Sequence, residues 1–277
     1  MADTALEGYS ALVTGGGSGI GLGCAVRLAA DGASVTICGR SEDRLRAAVD
    51  QIGGVGGGQA DYVVADVTQE DQVDEAVVRA SQATGRLEAV VACAGGSETI
   101  GPLTLTDAER WRRTIELNLT GTMLTLKHAA AVMVRSGGGS FVGVSSIASS
   151  NTHRWFGAYG VAKAGIDHLC RLAADELGAS NVRVNCVRPG LVRTALVAGL
   201  MGNEAVVDDY LSCMPIRRVG EPEDVANLVR FLVGPESTWI TGQCINVDGG
   251  HSLRRGPNIA ALVEPAFGAD ALRGVVP

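Results

Sequence analysis

Apolar residues gather in short runs, several of them interrupted by polar residues, and between the runs they recur every three or four positions. The runs are Tyr9–Val13, Ala33–Cys38, Tyr62–Ala65, Leu87–Ala92, Phe141–Val144, Asn181–Val187 and Thr241–Val247. Each has the length and the β-branched content of a strand buried on both faces. The stretches between them read as helices. Ile20, Cys24 and Leu28 share one face of the first, and the others are placed at Glu42–Val49, about 70–83, 107–134, around 159–163, and Pro222–Leu232. Seven strands alternating with helices predict an α/β protein built on a single doubly wound parallel sheet with helices on both faces. Residues 51–59 hold five glycines and read as a flexible loop. The domain is expected to span residues 1–253, with an interrupted apolar substrate lid at about 191–215. Residues 254–277, with Pro257, Pro265 and Pro277, read as an irregular C-terminal extension packing on the surface or on a neighbour.

Composition narrows the class. The chain has 277 residues, 46% of them hydrophobic but only 4% aromatic, with 38 glycines, which fits tight turns around a parallel sheet. A net charge of -7 without a Lys/Arg run argues against nucleic acid as a partner. The 7 cysteines are scattered and the 4 histidines lack ligand spacing, so neither a disulfide framework nor a metal site is expected. The N-terminus lacks the pattern of a signal peptide, and no apolar stretch is long enough for a membrane span. The expectation is a soluble cytoplasmic protein.

Candidate chemistry sits at the ends of the runs. Thr14-Gly-Gly-Gly-Ser-Gly-Ile-Gly21 follows the first strand and opens the first helix. Glycines there let backbone N–H groups approach a diphosphate at a helix N-terminus. The second strand ends in Gly39-Arg40-Ser41. The sheet type places that end at the adenosine ribose, where a carboxylate would bind the 2′-hydroxyl and repel a 2′-phosphate. A glycine and a permanent cation there point to NADP(H) rather than NAD(H); the bland reading of Arg40 is a solvated helix-start residue. Small residues at Cys93-Ala94-Gly95-Gly96 leave room for a planar ring against the backbone. Asn118, polar in an apolar stretch, either bonds locally and bends its helix or holds a water behind Lys163. Ser146 ends the fifth strand, and Tyr159 and Lys163 stand four apart on one helix face. An ammonium beside a phenol is expected to lower the phenol's pKa, preparing it to exchange a proton with a carbonyl or alcohol oxygen.

In this order and spacing the motifs resemble the short-chain dehydrogenase/reductase family, 3-oxoacyl-carrier-protein reductases among them, from about Ser10 to Gly250. The matching pieces are the glycine turn, Asp66-Val67, Ala94-Gly95, Asn118, Ser146, Tyr159-x-x-x-Lys163, Asn185-x-x-x-Pro189-Gly190 through Thr194, and Ile245-x-Val-Asp248-Gly-Gly250. The resemblance implies a Rossmann-type sheet of seven strands, a nicotinamide cofactor, and hydride transfer at a carbonyl or alcohol carbon. It implies Tyr159 as acid/base, Ser146 as the residue orienting the substrate oxygen, Lys163 as tuning the phenol and holding ribose hydroxyls, and Asn118 as holding a relay water. Around the cofactor it implies Gly15, Ser18, Gly19, Ile20, Gly21, Arg40, Ser41, Asp66, Val67, Ala94, Gly95, Pro189, Gly190, Val192 and Thr194, together with Tyr159 and Lys163. One departure is Cys93, where the family usually has an Asn that braces the turn; a small buried filler is favoured there over a redox group. The family also implies a homotetramer or homodimer.

The substrate is read as an apolar ketone or alcohol: a 3-oxoacyl thioester, a steroid, or another medium-sized compound. Trp155 and Phe156, with Leu191, Leu196, Val197, Leu200 and Met201 of the lid, suggest its walls. His153 and Arg154 either meet an anionic group or face solvent. Competing readings are a dinucleotide-binding regulator without turnover, an NAD-dependent alcohol dehydrogenase of the same fold, and an isomerase or dehydratase. The intact Ser-Tyr-Lys set favours simple redox.

Overall fold

The computed structural model describes residues 5–55 and 57–275. The N-terminal leader reading falls largely on residues 1–4, which lie outside the described residues. The chain runs β1 (Ser10–Thr14), α1 (Gly19–Ala30), β2 (Ser34–Gly39), α2 (Glu42–Gly53), β3 (Ala60–Val64), α3 (Glu70–Ser81) and β4 (Ala89–Ala92). It continues α4 (Ala108–Ile115), α5 (Gly121–Arg135), β5 (Gly139–Val144), α6 (Ala158–Leu177), β6 (Val182–Pro189), α7 (Ala198–Met201), α8 (Glu204–Cys213), α9 (Pro222–Val233), β7 (Cys244–Val247) and α10 (Ala260–Leu272). The seven strands form one parallel sheet in the order β3-β2-β1-β4-β5-β6-β7.

Burial explains the runs. Every residue of β1 and of β4 is buried, because helices cover both faces of the sheet. On one face Leu28, Val35, Val225, Val229 and Leu232 pack together; on the other Val77, Leu126, Met133, Phe141, Ile166 and Cys170 do. Helix starts follow local chemistry. Asp107 caps α4 by accepting from Arg110 N, and Glu221 and Asp224 form a reciprocal cap at α9 with Pro222 in its first turn. Strand order reverses between β1 and β4, and a crevice opens there at the carboxyl ends of the strands.

Three expectations are corrected. α2 continues to Gly53, into the span read as loop, because Ile52 is fully buried and holds its last turn. The long helix at 107–134 is two helices joined by a π-helical turn at Glu116–Thr120, which contains Asn118. The tail is not irregular: it carries α10, bent at Gly268 (φ 81°) with Pro265 inside. Among its described residues Pro257, Ile259, Val263 and Ala271 turn fully inward, at irregular spacing, so it shows little periodicity. Ile259 and Val263 join Leu191, Leu200, Val206, Tyr210 and Met214 in a separate apolar cluster beyond the sheet. Among the described residues no helix is long and apolar enough to cross a membrane.

Candidate active site

The crevice is a cleft of about 310 Å³. It is lined at one end by the β1–α1 turn, at the other by Ser146, Tyr159 and Lys163, and between them by the loops after β3, β4 and β6. Two of the turn's glycines have no room for a side chain. Gly15 has φ +68°, and a Cβ on it would stand 2.9 Å from the backbone of Ala94; one on Gly21 would stand 2.3 Å from Gly15 O. Ser18 sits at the N-cap of α1 with its hydroxyl unused for capping. A helix N-terminus fronted by glycines and a free hydroxyl suits an anionic diphosphate.

The loop after β4 shows how the chain manages with Cys93. Thr14 Oγ1 accepts from both Cys93 N and Ala94 N, at 3.1 Å each, so a threonine of β1 braces the turn. The Cys93 thiol is pushed up to about 11 by burial, as befits a filler rather than a reactive thiolate. At the adenosine end lie Gly39, Arg40, Ser41, Arg44, Asp66 and Val67. Asp66 Oδ1 accepts from Thr68 N and Oγ1, while its Oδ2 lies 4.0 Å from the Arg40 guanidinium, which remains largely exposed.

At the reacting end the fold brings Asn118, Ser146, Tyr159 and Lys163 together. Ser146 follows β5, and its Oγ accepts from Ala148 N. Tyr159 lies in the first turn of α6, whose entry requires Gly157 at φ +53°; a Cβ there would stand 2.4 Å from Thr99 O. Lys163, one turn on, donates to Val144 O at 2.8 Å, and its Nζ lies 5.5 Å from the Tyr159 ring centroid. Asn118 donates to Gly96 O and Thr114 O and accepts from Gly96 N, so its amide is spent on the β4 loop and its own helix. Gly95 keeps the two polar groups close: a Cβ on it would stand 2.6 Å from Asn118 Oδ1 and 3.3 Å from Lys163 Nζ.

The expected lowering of the phenol is overturned. Burial pushes Tyr159 up to about 12, against a partial downward pull from the Ser146 hydroxyl. Burial likewise brings Lys163 down to about 8, against upward pulls from Cys93 and Asp167. Desolvation is the largest cause at both groups. Asp167, one turn below Lys163, is itself held below its ordinary range by Arg188 and neighbouring hydroxyls, against its own burial.

A second cavity, about 200 Å³, opens from the same place and shares Ser146, Tyr159, Gly190, Leu196 and Val197 with the cleft. His153, Phe156, Leu191 and Leu200 line it as expected. Trp155, Arg154 and Met201 do not; the Arg154 guanidinium stacks on the Trp155 ring at 4.3 Å instead. Every expected cofactor-side residue lines the cleft. Sequence reasoning missed Arg44, Ser145, Tyr210 and Leu262. Tyr210 carries a signal, a lone aromatic in the apolar lid; Leu262 carries none, since it lies in the tail.

This fold and site define a dinucleotide-dependent oxidoreductase. A family model described as "Enoyl-(Acyl carrier protein) reductase" matches residues 15–252, and the chain belongs to the short-chain dehydrogenase/reductase family. It is 40% identical over 245 residues to a cis-4-hydroxycyclohexanecarboxylate dehydrogenase of Sinomonas cyclohexanicum, covering 87% of this chain and 96% of that one. The solved short-chain type dehydrogenase/reductase of Mycobacterium ulcerans superposes with TM-score 0.96 at 57% identity, over 98% of this chain and 99% of that one. A 7α-hydroxysteroid dehydrogenase complexed with NADH and 7-oxo glycochenodeoxycholic acid superposes with TM-score 0.84 at 33% identity, over 90% and 97%. The protein is accordingly an oxidoreductase of alcohol and carbonyl groups that uses a nicotinamide dinucleotide.

Proposed function

We propose an NADP(H)-preferring dehydrogenase/reductase acting on a compact, mostly apolar ring ketone or secondary alcohol. The observation that carries this is the meeting of the two cavities at Ser146 and Tyr159. One is shaped by glycines for a dinucleotide; the other is apolar and smaller than a drug-sized pocket. The bound cofactor supplies or accepts the hydride. Ser146 holds the substrate oxygen, and Tyr159, protonated at neutral pH, donates to that oxygen during reduction and takes the proton back during oxidation. Lys163 holds ribose hydroxyls and provides positive charge beside the phenol. Asn118 ties the β4 loop to its own helix, next to Lys163. Phosphate and nicotinamide contacts fall to the glycine turn and to the Pro189–Thr194 loop.

NADP(H) is favoured because the end of β2 offers Arg40, Ser41 and Arg44 and no carboxylate of its own. The NADH in the hydroxysteroid relative supports the NAD(H) reading as the second choice. Residues 191–215 act as the lid, with the protein working as a homotetramer in the cytoplasm; seven free cysteines fit a reducing compartment. Substituting Tyr159→Phe tests the central claim. Reduction of ring ketones with NADPH should fall by about 10²–10⁴-fold while NADPH still binds, and near-normal turnover would refute the assignment.

A further inference from the structure

Besides Ser97, whose hydroxyl accepts from Thr99 N, the apolar cavity is lined by two polar side chains that hydride transfer does not use. Tyr210 projects from α8 and is only 3% exposed, yet it lines the cavity. His153, from the loop between β5 and α6, lines it too, with the ring centroids 6.4 Å apart. Among the described residues neither the Tyr210 hydroxyl nor His153 Nε2 has a hydrogen-bond partner. Neither is among the buried polar atoms that lack a partner, so both are reached from the cavity and are satisfied by what enters it. Around them stand Ile100, Phe156, Leu191, Leu200 and Leu262.

Both groups are held in place. His153 Nδ1 lies 2.8 Å from Asn151 O, and a carbonyl only accepts, so Nδ1 carries the hydrogen. Burial and the neighbouring His251 hold His153 below its ordinary range, so at neutral pH Nε2 is a bare acceptor. Tyr210 packs edge-on against His251 at 5.7 Å, and its neighbour Asp209 accepts from Arg255 and from Asn258 N. The tail thereby fixes the phenol's position. Burial raises Tyr210, which keeps it a donor.

One donor and one bare acceptor together match a hydroxyl, which accepts from the phenol and donates to Nε2. A ketone or carboxylate oxygen satisfies only the phenol and sets a lone pair against Nε2. We infer that Tyr210 and His153 form a substrate subsite that reads a second, neutral hydroxyl, so that hydroxylated ring ketones and the matching diols are preferred over oxo acids. This rests on the oxidoreductase reading above and names its substrate class.

The test is a panel of ketones with one or two fused six-membered rings. Each is supplied plain, with a hydroxyl far from the carbonyl, or with a carboxylate there, and assayed with NADPH and with NADH. The readout is the ratio of kcat/KM for hydroxylated over plain ketone, which a general loss of activity leaves unchanged. The wild type should show a ratio of about tenfold or more for at least one ring size. Tyr210→Phe and His153→Leu should each bring that ratio toward one, and the carboxylates should rank no higher than the plain ketones. A ratio that survives both substitutions, or carboxylates outranking hydroxyketones, overturns the subsite. If no ketone turns over, binding to the NADPH complex, followed by cofactor fluorescence, decides. Hydroxyl-selective binding lost in Tyr210→Phe keeps the subsite and sinks the ring-ketone reading; equal binding sinks the subsite.

Discussion

Lys163 is an amine inside the protein with a backbone carbonyl as its hydrogen-bond acceptor. Its pKa falls from 10.5 to about 8, so between those values the unfolded chain binds the proton that the folded one releases. Stability contributed at this position therefore rises with pH through that window, and the full cost of burying the charge applies below it. Lys163→Met removes the term. Its unfolding free energy without cofactor, relative to wild type, should be most favourable near pH 7 and decline toward pH 10. Urea unfolding at the two pH values checks this, and a difference that ignores pH would show that the amine is not desolvated. Arg40 makes the second prediction at this scale. Arg40→Asp should invert the ratio of kcat/KM for NADPH over NADH, while a ratio unmoved by the substitution would show the guanidinium to be a bystander. Sequence spacing made both residues visible, but not their energetics. The four-residue step put Lys163 beside Tyr159, whereas the desolvation that raises the phenol depends on strands and loops far away in the chain. The Thr14 brace is the same kind of case: no spacing links Thr14 to Cys93, and only the pairing of β1 with β4 brings them together.

At the scale of elements, the interior strands were legible because a strand covered on both faces must be apolar throughout. The cofactor side of the candidate site was legible for a related reason: its glycine turn and loops follow the carboxyl ends of those strands, whereas Asn118, Tyr159 and Lys163 lie in helical segments. α10 was not, because a helix that touches the molecule through a few side chains has no stripe to read, and Pro265 and Gly268 mimic a coil. Yet Leu262 lines the substrate cavity, and Ile259 and Val263 are buried against the lid. Burying such side chains is worth about 1.5–3 kcal/mol each, enough to hold α7 and α8 over the cavity but small beside the core of the sheet. A chain ending at Gly256 should therefore fold and bind NADPH within about twofold of the full chain, while its ketone KM rises by about tenfold, the equivalent of 1.4 kcal/mol. An unchanged KM would mean that the lid stands without the tail.

At the scale of the whole molecule, exposed apolar residues are spread over many segments, Leu103, Leu196, Ile216 and Leu253 among them, and two groups lie on elements that flank the sheet. α5 and α6 expose Met123, Val161 and Leu172, at 37%, 54% and 48%. The region of α9 and β7 exposes Phe231 at 36% and, between the two elements, Trp239 at 99%. Scattered apolar side chains on a surface need no explanation, but a fully exposed Trp does. Two distinct self-associating faces, each closing about its own twofold axis, generate a tetramer of dihedral symmetry, whereas one face alone stops at a dimer. Light scattering of the purified protein should therefore give four times the chain mass of 28.4 kDa. Trp239→Glu puts a charge into one face only, and the expected product is a species of two chains that retains ketone reductase activity, because both cavities lie within one subunit. A monomer in the wild type removes the two-face argument, and a tetramer that survives the substitution removes Trp239 from it.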